Sequence, residues 1–439
     1  IIWITFAPIT SVAADYYNVS VRAIVGLSLV FLALYVPASG FSSWLFESYG
    51  IRKGLFVGAG LNLVSALIRF LSTQQGTDGS YTGAYAVLMI GQTVAAVAQP
   101  FFTNLPARFA ATWFGVKQRD IATTIFVSAN LIGIALGSIL PTIFADVNDE
   151  TVDMFTLLLV ELGTVTASSL LIFFLFREEP PTPPSKTADE KRAAKLSGQN
   201  RVSAKENAIQ VWRDVQKAFS EKNFVLIFIA SGTGLGFFNS LTTLVETLTK
   251  PAGYSTDNAG TFSIAFLGCG LVSAGIFGVI MDKTHKYITL LRILATVATL
   301  ATFGLCLSIR PDNIGLISAF FGILGSFMIP LLPLAFELAA ECTYPLVPED
   351  ISTGLIMSGG QVTGIGFLLG MEALIGQQPD FTTNDDFKYE FTPTYIIAVI
   401  AVFIFWVAAM SFNGEYKRLK AEGSETETAL ADTNKAESM

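Results

Sequence analysis

Residues Leu334–Gly370 read LAFELAAECTYPLVPEDISTGLIMSGGQVTGIGFLLG. Two apolar stretches flank a short acidic turn, and together they carry Glu337, Glu341 and Gln361. Each stretch approaches the roughly 20 apolar residues that cross a bilayer as a helix. Polar groups persist inside hydrocarbon only where they face protein or water, so these three are candidate functional residues. A second, weaker copy of the hairpin lies earlier in the chain, and the repeat organises the rest of the reading.

The 439 residues are 52% hydrophobic and 14% charged, against roughly 25% charged in soluble proteins. With many long apolar runs, this composition specifies a polytopic, all-α membrane protein whose chief partner is the lipid bilayer. The net charge of −8 resides mostly in loops and in the final GSETETALADTNKAESM. No basic domain points to nucleic acid. Cys269, Cys306 and Cys342 show no CxxC or Cys/His spacing, so neither a disulfide framework nor a metal site is implied. His285 is the single histidine, which excludes a multi-histidine site and most catalytic triads. No phosphate-binding loop is present. The chain reads as a non-enzyme without cofactor.

Spans are expected at 1–14 (partial), 24–46, 54–72, 83–110, 120–145 and 152–176. Six more follow at 223–248, 258–281, 287–308, 313–341, 351–376 and 393–412. The chain opens Ile1-Ile2-Trp3 inside an apolar run, so its first helix is expected to be N-terminally truncated. The expected units are a six-helix bundle over 1–176, a linker over 177–222, a second bundle over 223–412 and a disordered tail over 413–439. The linker begins Pro-, Lys- and Glu-rich, which favours disorder. Its end sets Ile209, Trp212, Val215 and Phe219 at helical spacing against Lys and Arg. That pattern describes an amphipathic helix at about 207–222, either on the membrane surface or simply solvated.

Lys and Arg gather in alternate short loops: Arg52/Lys53, Lys117/Arg119, Lys283/Lys286, the linker and Lys417/Arg418. The other loops are neutral or acidic, so the termini and linker are expected to be cytoplasmic. The sequon Asn18-Val19-Ser20 then falls outside.

After the second span comes SSWLFESYGIRKG, with Glu47, Gly50 and Arg52; after the eighth comes GVIMDKTHKY, with Gly278, Asp282, Lys283 and Lys286. An acid beside a short basic loop at matching places in two halves resembles the signature loop of the major facilitator superfamily. That resemblance implies two pseudo-symmetric six-helix bundles with a site between them at mid-membrane. The opening hairpin has its counterpart in PARFAATWFGVKQRDIATTIFVSANLIGIALG (106–137). In that register Arg108 matches Glu337 and Leu131 matches Gln361. The first-half turn is basic (Arg108, Lys117, Arg119) and the second-half turn acidic (Glu337, Glu341, Glu349, Asp350). Opposite charges there would latch a cytoplasmic gate, with Glu47, Arg52, Asp282 and Lys286 beside them. Loop charges seated at lipid headgroups are the alternative.

Five motifs narrow the resemblance: Trp3-x-x-Phe6-Ala7-Pro8, Glu47-x-x-Gly50-x-Arg52, Ala111-x-Trp113-Phe114-Gly115, Glu337-Leu338-Ala339-x-Glu341-Cys342-x-Tyr344-Pro345 and Gly360-Gln361-x-x-Gly364-Ile365. Together they resemble the feline leukaemia virus subgroup C receptor family, solute carrier family 49. Pro180–Ser185, Asp282–Lys286 and Tyr416-x-Arg418-Leu419-x-Ala421-Glu422 are most similar to its major facilitator domain-containing protein seven branch. The resemblance implies transport of a small organic solute. Choline and ethanolamine fit the receptor branch, haem was ascribed to it earlier, and a B6 vitamer is linked to another branch.

It also implies an ammonium cage, which carries over only in part. Trp3 and Gln361 match cage residues. Asn239 stands where a Tyr is expected, with Phe237 and Phe238 beside it. Leu131 stands where a second glutamine is expected, with Asn130 beside it. The expected substrate site is therefore Trp3, Asn130, Asn239 and Gln361.

Each of these residues has a plainer reading. Trp3 is either a substrate platform or lipid-facing filler, and Gln361 either faces the site or bonds a neighbouring helix. Glu161 is a candidate proton site without an identified partner, Gln92 an interhelical hydrogen bond, and Glu246 a cation attractor or a water-facing group. The Gly232-x-Gly234-x-Gly236 run weakens its helix and is a candidate bend. His285, in a loop, is not placed to ligate haem at mid-membrane.

The expected protein is a monomeric, alternating-access uniporter in the plasma membrane or an endolysosomal or vacuolar membrane. A haem or porphyrin exporter, a proton- or sodium-coupled symporter and a non-transporting receptor are the alternatives.

Overall fold

The computed structural model describes residues 1–73, 83–115, 119–146, 151–182, 204–375 and 393–417. The first half runs α1 (Thr10–Tyr17), α2 (Val21–Tyr49), α3 (Ile51–Leu71), α4 (Ala84–Thr103), α5 (Leu105–Trp113), α6 (Arg119–Ile143) and α7 (Met154–Leu175). Helix α8 (Ala204–Ser220) leads into the second half. There follow α9 (Lys222–Thr243), α10 (Val245–Thr249), α11 (Thr256–Thr284), α12 (Tyr287–Ser308), α13 (Ile314–Met328), α14 (Leu331–Thr343), α15 (Glu349–Ile375) and α16 (Pro393–Ser411). A two-residue antiparallel ladder joins β1 (Ala145–Asp146) to β2 (Thr151–Val152).

With α4–α5 and α13–α14 each taken as one crossing, eleven helices among the described residues are long and apolar enough to span a membrane. The segment 1–17 stands where the first span is expected. Only its last eight residues are α-helical. Pro8 is the local cause: it has no N–H to donate to the Ile4 carbonyl. That carbonyl instead accepts from Ala7 at 3.0 Å, and residues 2–9 form successive turns.

Prolines also place the break between α13 and α14. Pro330 cannot bond the carbonyl of Ser326, four residues back. The Ser273 hydroxyl of α11 donates to that freed carbonyl instead. The break therefore leaves no orphaned acceptor there.

Helix α9 runs uninterrupted through the Gly232–Gly236 run, from Lys222 to Thr243. Its glycines let α15 come close. A Cβ at Gly236 would collide with the Thr363 hydroxyl and lie 2.7 Å from the Gly364 nitrogen. Thr363 Oγ1 donates across to the Gly232 carbonyl at 2.5 Å. The interruption comes later, at Leu244, between α9 and α10.

Helix α8 covers Ala204–Ser220, close to the amphipathic segment expected from its pattern. Asp214 and Ala218 are buried, whereas Ile209, Trp212 and Phe219 are exposed. Linker residues 183–203 and the tail beyond 417 lie outside the described residues. The first stretch of tail docks on the second half. Lys417 Nζ donates to the Cys342 carbonyl at 3.4 Å and to Glu221 at 3.3 Å. The Tyr416 hydroxyl accepts from the Ile288 N–H at 3.0 Å.

Successive spans alternate direction, so the loops divide between two faces. The linker, the α2–α3 corner, the α11–α12 corner and the α14–α15 turn share one, the linker face. The α1–α2 turn, the β ladder, α10 and the end of α15 share the opposite face. The halves meet where α2 packs on α15, α6 on α11 and α1 on α10.

Candidate functional site

A cavity of about 420 Å³ lies between the halves. Trp3, Asn130, Asn239 and Gln361, the four residues expected at a substrate site, all line it. They come from the first segment, α6, α9 and α15 respectively. Leu131, in the place of the second cage glutamine, lines it too.

The rotation of α9 decides which phenylalanine faces inward. Its Gly232, Gly236 and Ser240 turn towards α15, where the Ser240 hydroxyl donates to the Gly364 carbonyl at 3.3 Å. Phe237 is buried in the second-half core, whereas Phe238 lines the cavity and packs on Phe266 with ring centroids 5.6 Å apart. Small side chains at four-residue spacing, Gly232, Gly236 and Ser240, mark the face that α9 turns to α15. Phe405 of α16 and Met357 of α15 also line the cavity, and no motif marked them.

Among the described residues, the lining contains no Asp, Glu, Lys, Arg or His side chain. Its polarity comes from amides and hydroxyls. Trp3 Nε1, Gln99 Oε1, Asn239 Nδ2 and Gln361 Oε1 are buried without a protein hydrogen-bond partner, and all four residues line the cavity. Gln361 thus spends its oxygen on no neighbouring helix. A buried polar atom left unpaired costs about 1–3 kcal/mol. Four around one cavity are therefore suited to a ligand's polar atoms.

Glu161 does have a partner. Arg69 of α3, which no motif marked, places Nη2 3.0 Å from Glu161 Oε2, with the two side chains 1% and 2% exposed. The Thr5 hydroxyl donates to the other carboxylate oxygen. Gln92 forms the expected tie, Nε2 donating to the Ile2 carbonyl at 3.4 Å. None of Thr5, Arg69, Gln92 and Glu161 lines the cavity.

Glu246 neither waits for a cation nor faces water. Its buried carboxylate accepts the Ser11 N–H at 3.0 Å and the Ser11 hydroxyl, joining the two halves at the opposite face. Arg22 and Glu372 add an exposed ion pair there at 2.9 Å. The cavity lining instead extends to Thr103 and Leu291, in the linker-side parts of α4 and α12. The opposite face is thus closed and the cavity lies on its linker side.

Of the expected gate residues, Arg52 and Lys286 are exposed on the linker face, Arg108 and Glu337 are half-buried, and Glu341 is buried. The side chains of Glu47, Arg119 and Asp282 lie outside the described residues, as do those of Glu349 and Asp350 and all of Lys117. At the first signature loop the free N–H groups of α3 are taken by Glu178. Its carboxylate accepts from Ile51 at 3.0 Å and Arg52 at 2.8 Å, as a helix N-terminus favours. Gly50 permits this doubly: its φ is +89°, and a Cβ there would collide with Glu178.

Comparisons with known proteins agree with this architecture. The Major Facilitator Superfamily profile matches residues 1–371. Solute carrier family 49 member A3 of Xenopus tropicalis is 28% identical, covering 96% of this chain and 85% of that protein. The choline/ethanolamine transporter FLVCR2 of Homo sapiens is 30% identical, covering 85% of this chain and 68% of that protein. Among solved structures, a D-xylose-proton symporter superposes with a TM-score of 0.69 at 14% identity, covering 95% of this chain and 94% of that one. That likeness concerns the fold. The chain is a multi-pass membrane transporter of the major facilitator superfamily and belongs, within it, to solute carrier family 49.

Proposed function

We propose that the protein is an alternating-access uniporter for a small, soft organic cation of the choline kind, held at Trp3, Asn130, Asn239 and Gln361. The carrying observation is the cavity lining. Among the described residues it offers the aromatic side chains of Trp3, Phe238 and Phe405, unpaired amide atoms, and no ionisable side chain. A cation over an aromatic face gains about 0.5–2 kcal/mol. A quaternary ammonium is weakly hydrated and tolerates a site without a carboxylate. A primary ammonium loses strong hydration there, so choline is preferred over ethanolamine. Haem would bring carboxylates into a lining whose described residues include no Lys, Arg or His side chain.

Two relatives' names support the substrate class, since both are choline/ethanolamine transporters. Leu131 and Asn239 depart from the cage that the family resemblance implies, and Phe238 takes the aromatic role. The Lys- and Arg-rich linker face is the cytoplasmic one. On that orientation the protein is closed outside with its cavity on the cytoplasmic side. Arg108 and Arg119 against Glu337 and Glu341 form the latch of the other state, flanked by Glu47, Arg52, Asp282 and Lys286. The transporter works as a monomer in the plasma membrane or an endolysosomal or vacuolar membrane.

Uptake into proteoliposomes tests the reading, comparing choline, ethanolamine, pyridoxine and haem. Choline uptake that is saturable and lost in Trp3→Ala and Gln361→Ala supports it. Uptake of haem or pyridoxine but not choline contradicts it.

A further inference from the structure

We propose that the buried Arg69–Glu161 pair is a positioning device for Trp3, acting on the first segment through Thr5 and Phe6. This rests on the reading of Trp3 as a substrate contact. A charge within membrane spans calls for a reason beyond packing, and a buried ion pair seldom stabilises more than apolar side chains of like volume. Here both charges reach the same few residues. Glu161 Oε2 holds Arg69 at 3.0 Å while Oε1 takes the Thr5 hydroxyl. The Arg69 guanidinium lies over the Phe6 ring, 5.4 Å from its centroid. Gln92 holds the Ile2 carbonyl from the next helix.

The segment gains from such ties because Pro8 has no N–H to give to the Ile4 carbonyl, which accepts from Ala7 at 3.0 Å instead. Trp3 and Ile4 line the cavity, whereas Thr5 and Phe6 do not. Contacts at residues 2, 5 and 6 therefore bracket Trp3 from behind. They fix its indole relative to Asn239 and Gln361 across the cavity.

Three variants of the full chain in lipid test this: Thr5→Val, Thr5→Ser and the double Arg69→Met/Glu161→Leu. The double variant replaces both charges together, so no buried charge is left unpaired. Amide hydrogen exchange over residues 2–9 reports the segment, and choline uptake reports the site. Thr5→Val is expected to speed exchange over 2–9. It raises the choline KM about tenfold, the fold-change that loss of one hydrogen bond to a charged acceptor produces, with kcat and Tm held. Thr5→Ser restores both readings, and the double variant behaves like Thr5→Val with a native Tm.

Unchanged exchange in both Thr5→Val and the double variant overturns the proposal, whatever the transport result. Faster exchange with an unchanged KM, in a protein whose Trp3→Ala variant has a raised KM, overturns it too. If the unaltered protein does not carry choline, exchange alone decides the clamp, and only the substrate reading fails.

Discussion

Glu246 and Ser11 join the two halves of the transporter at the face opposite the linker. One carboxylate accepts both the backbone N–H and the hydroxyl of a single serine. Ser11 lies in α1 and Glu246 in α10, the short helices that close this end. Helix packing alone would leave the closure free to slide. A two-pronged hydrogen bond to a charged acceptor gives it a defined closed position, and it must break for the cavity to open this way.

Glu246→Ala should therefore favour the state open to that face. Each hydrogen bond to a charged group contributes about 1.5–3 kcal/mol, so losing even one net bond shifts the equilibrium at least about tenfold. A cysteine placed at Ser231, inside the cavity, should react correspondingly faster with an impermeant thiol reagent from the opposite face. An unchanged labelling rate would show that the clasp does not hold the closed state.

The linker-face latch makes a separate prediction. Glu337→Arg should weaken closure at the linker face, and adding Arg108→Glu should partly restore it. Exposed pairs contribute only about 0–1 kcal/mol each, so a change of up to about fivefold in linker-side labelling is expected. A double reversal no better than the single one would mean that the two turns do not pair.

Cage composition is testable by substitution in both directions. Phe238→Leu removes an aromatic face worth about 0.5–2 kcal/mol and should raise the choline KM by roughly two- to thirtyfold. Leu131→Gln supplies the second glutamine that the family resemblance expects and should lower it. An unchanged KM in both variants would move the site away from this part of the cavity.

The α9–α15 contact should tolerate no added methyl. Gly236→Ala drives a Cβ against Thr363 and Gly364, and overpacking of this kind costs about 1–3 kcal/mol. A clearly lowered Tm in detergent is expected. Gly366→Ala, where a Cβ meets nothing within 4 Å, is the matched control and should leave Tm unchanged.

The long apolar runs and their loop charges made the span order and the two halves readable before any coordinates. The family resemblance made Trp3, Asn130, Asn239 and Gln361 readable as one group, and they do share a cavity. What stayed hidden depends on rotation and on distant pairing. The choice between Phe237 and Phe238 follows from the face α9 gives to α15, which no run of apolar residues specifies. Arg69 sits near the end of an apolar helix, where an arginine ordinarily reaches for the membrane surface. Its partner Glu161 lies more than ninety positions away. Glu178 was hidden in the same way, because a helix N-terminus can take its anion from any segment that passes nearby. The Gly232–Gly236 run was ambiguous because glycine serves both flexibility and close approach. Only the neighbour across the gap tells which.

The central claim is that Trp3 and Gln361 hold a soft organic cation in a site without charged side chains. Choline counterflow across proteoliposomes tests it most directly, because exchange of labelled for unlabelled substrate needs only binding and alternating access. Counterflow by the unaltered protein, lost in Trp3→Ala and strongly reduced in Gln361→Ala while both variants keep a native Tm, is the predicted result. Counterflow that persists undiminished in both variants would contradict it.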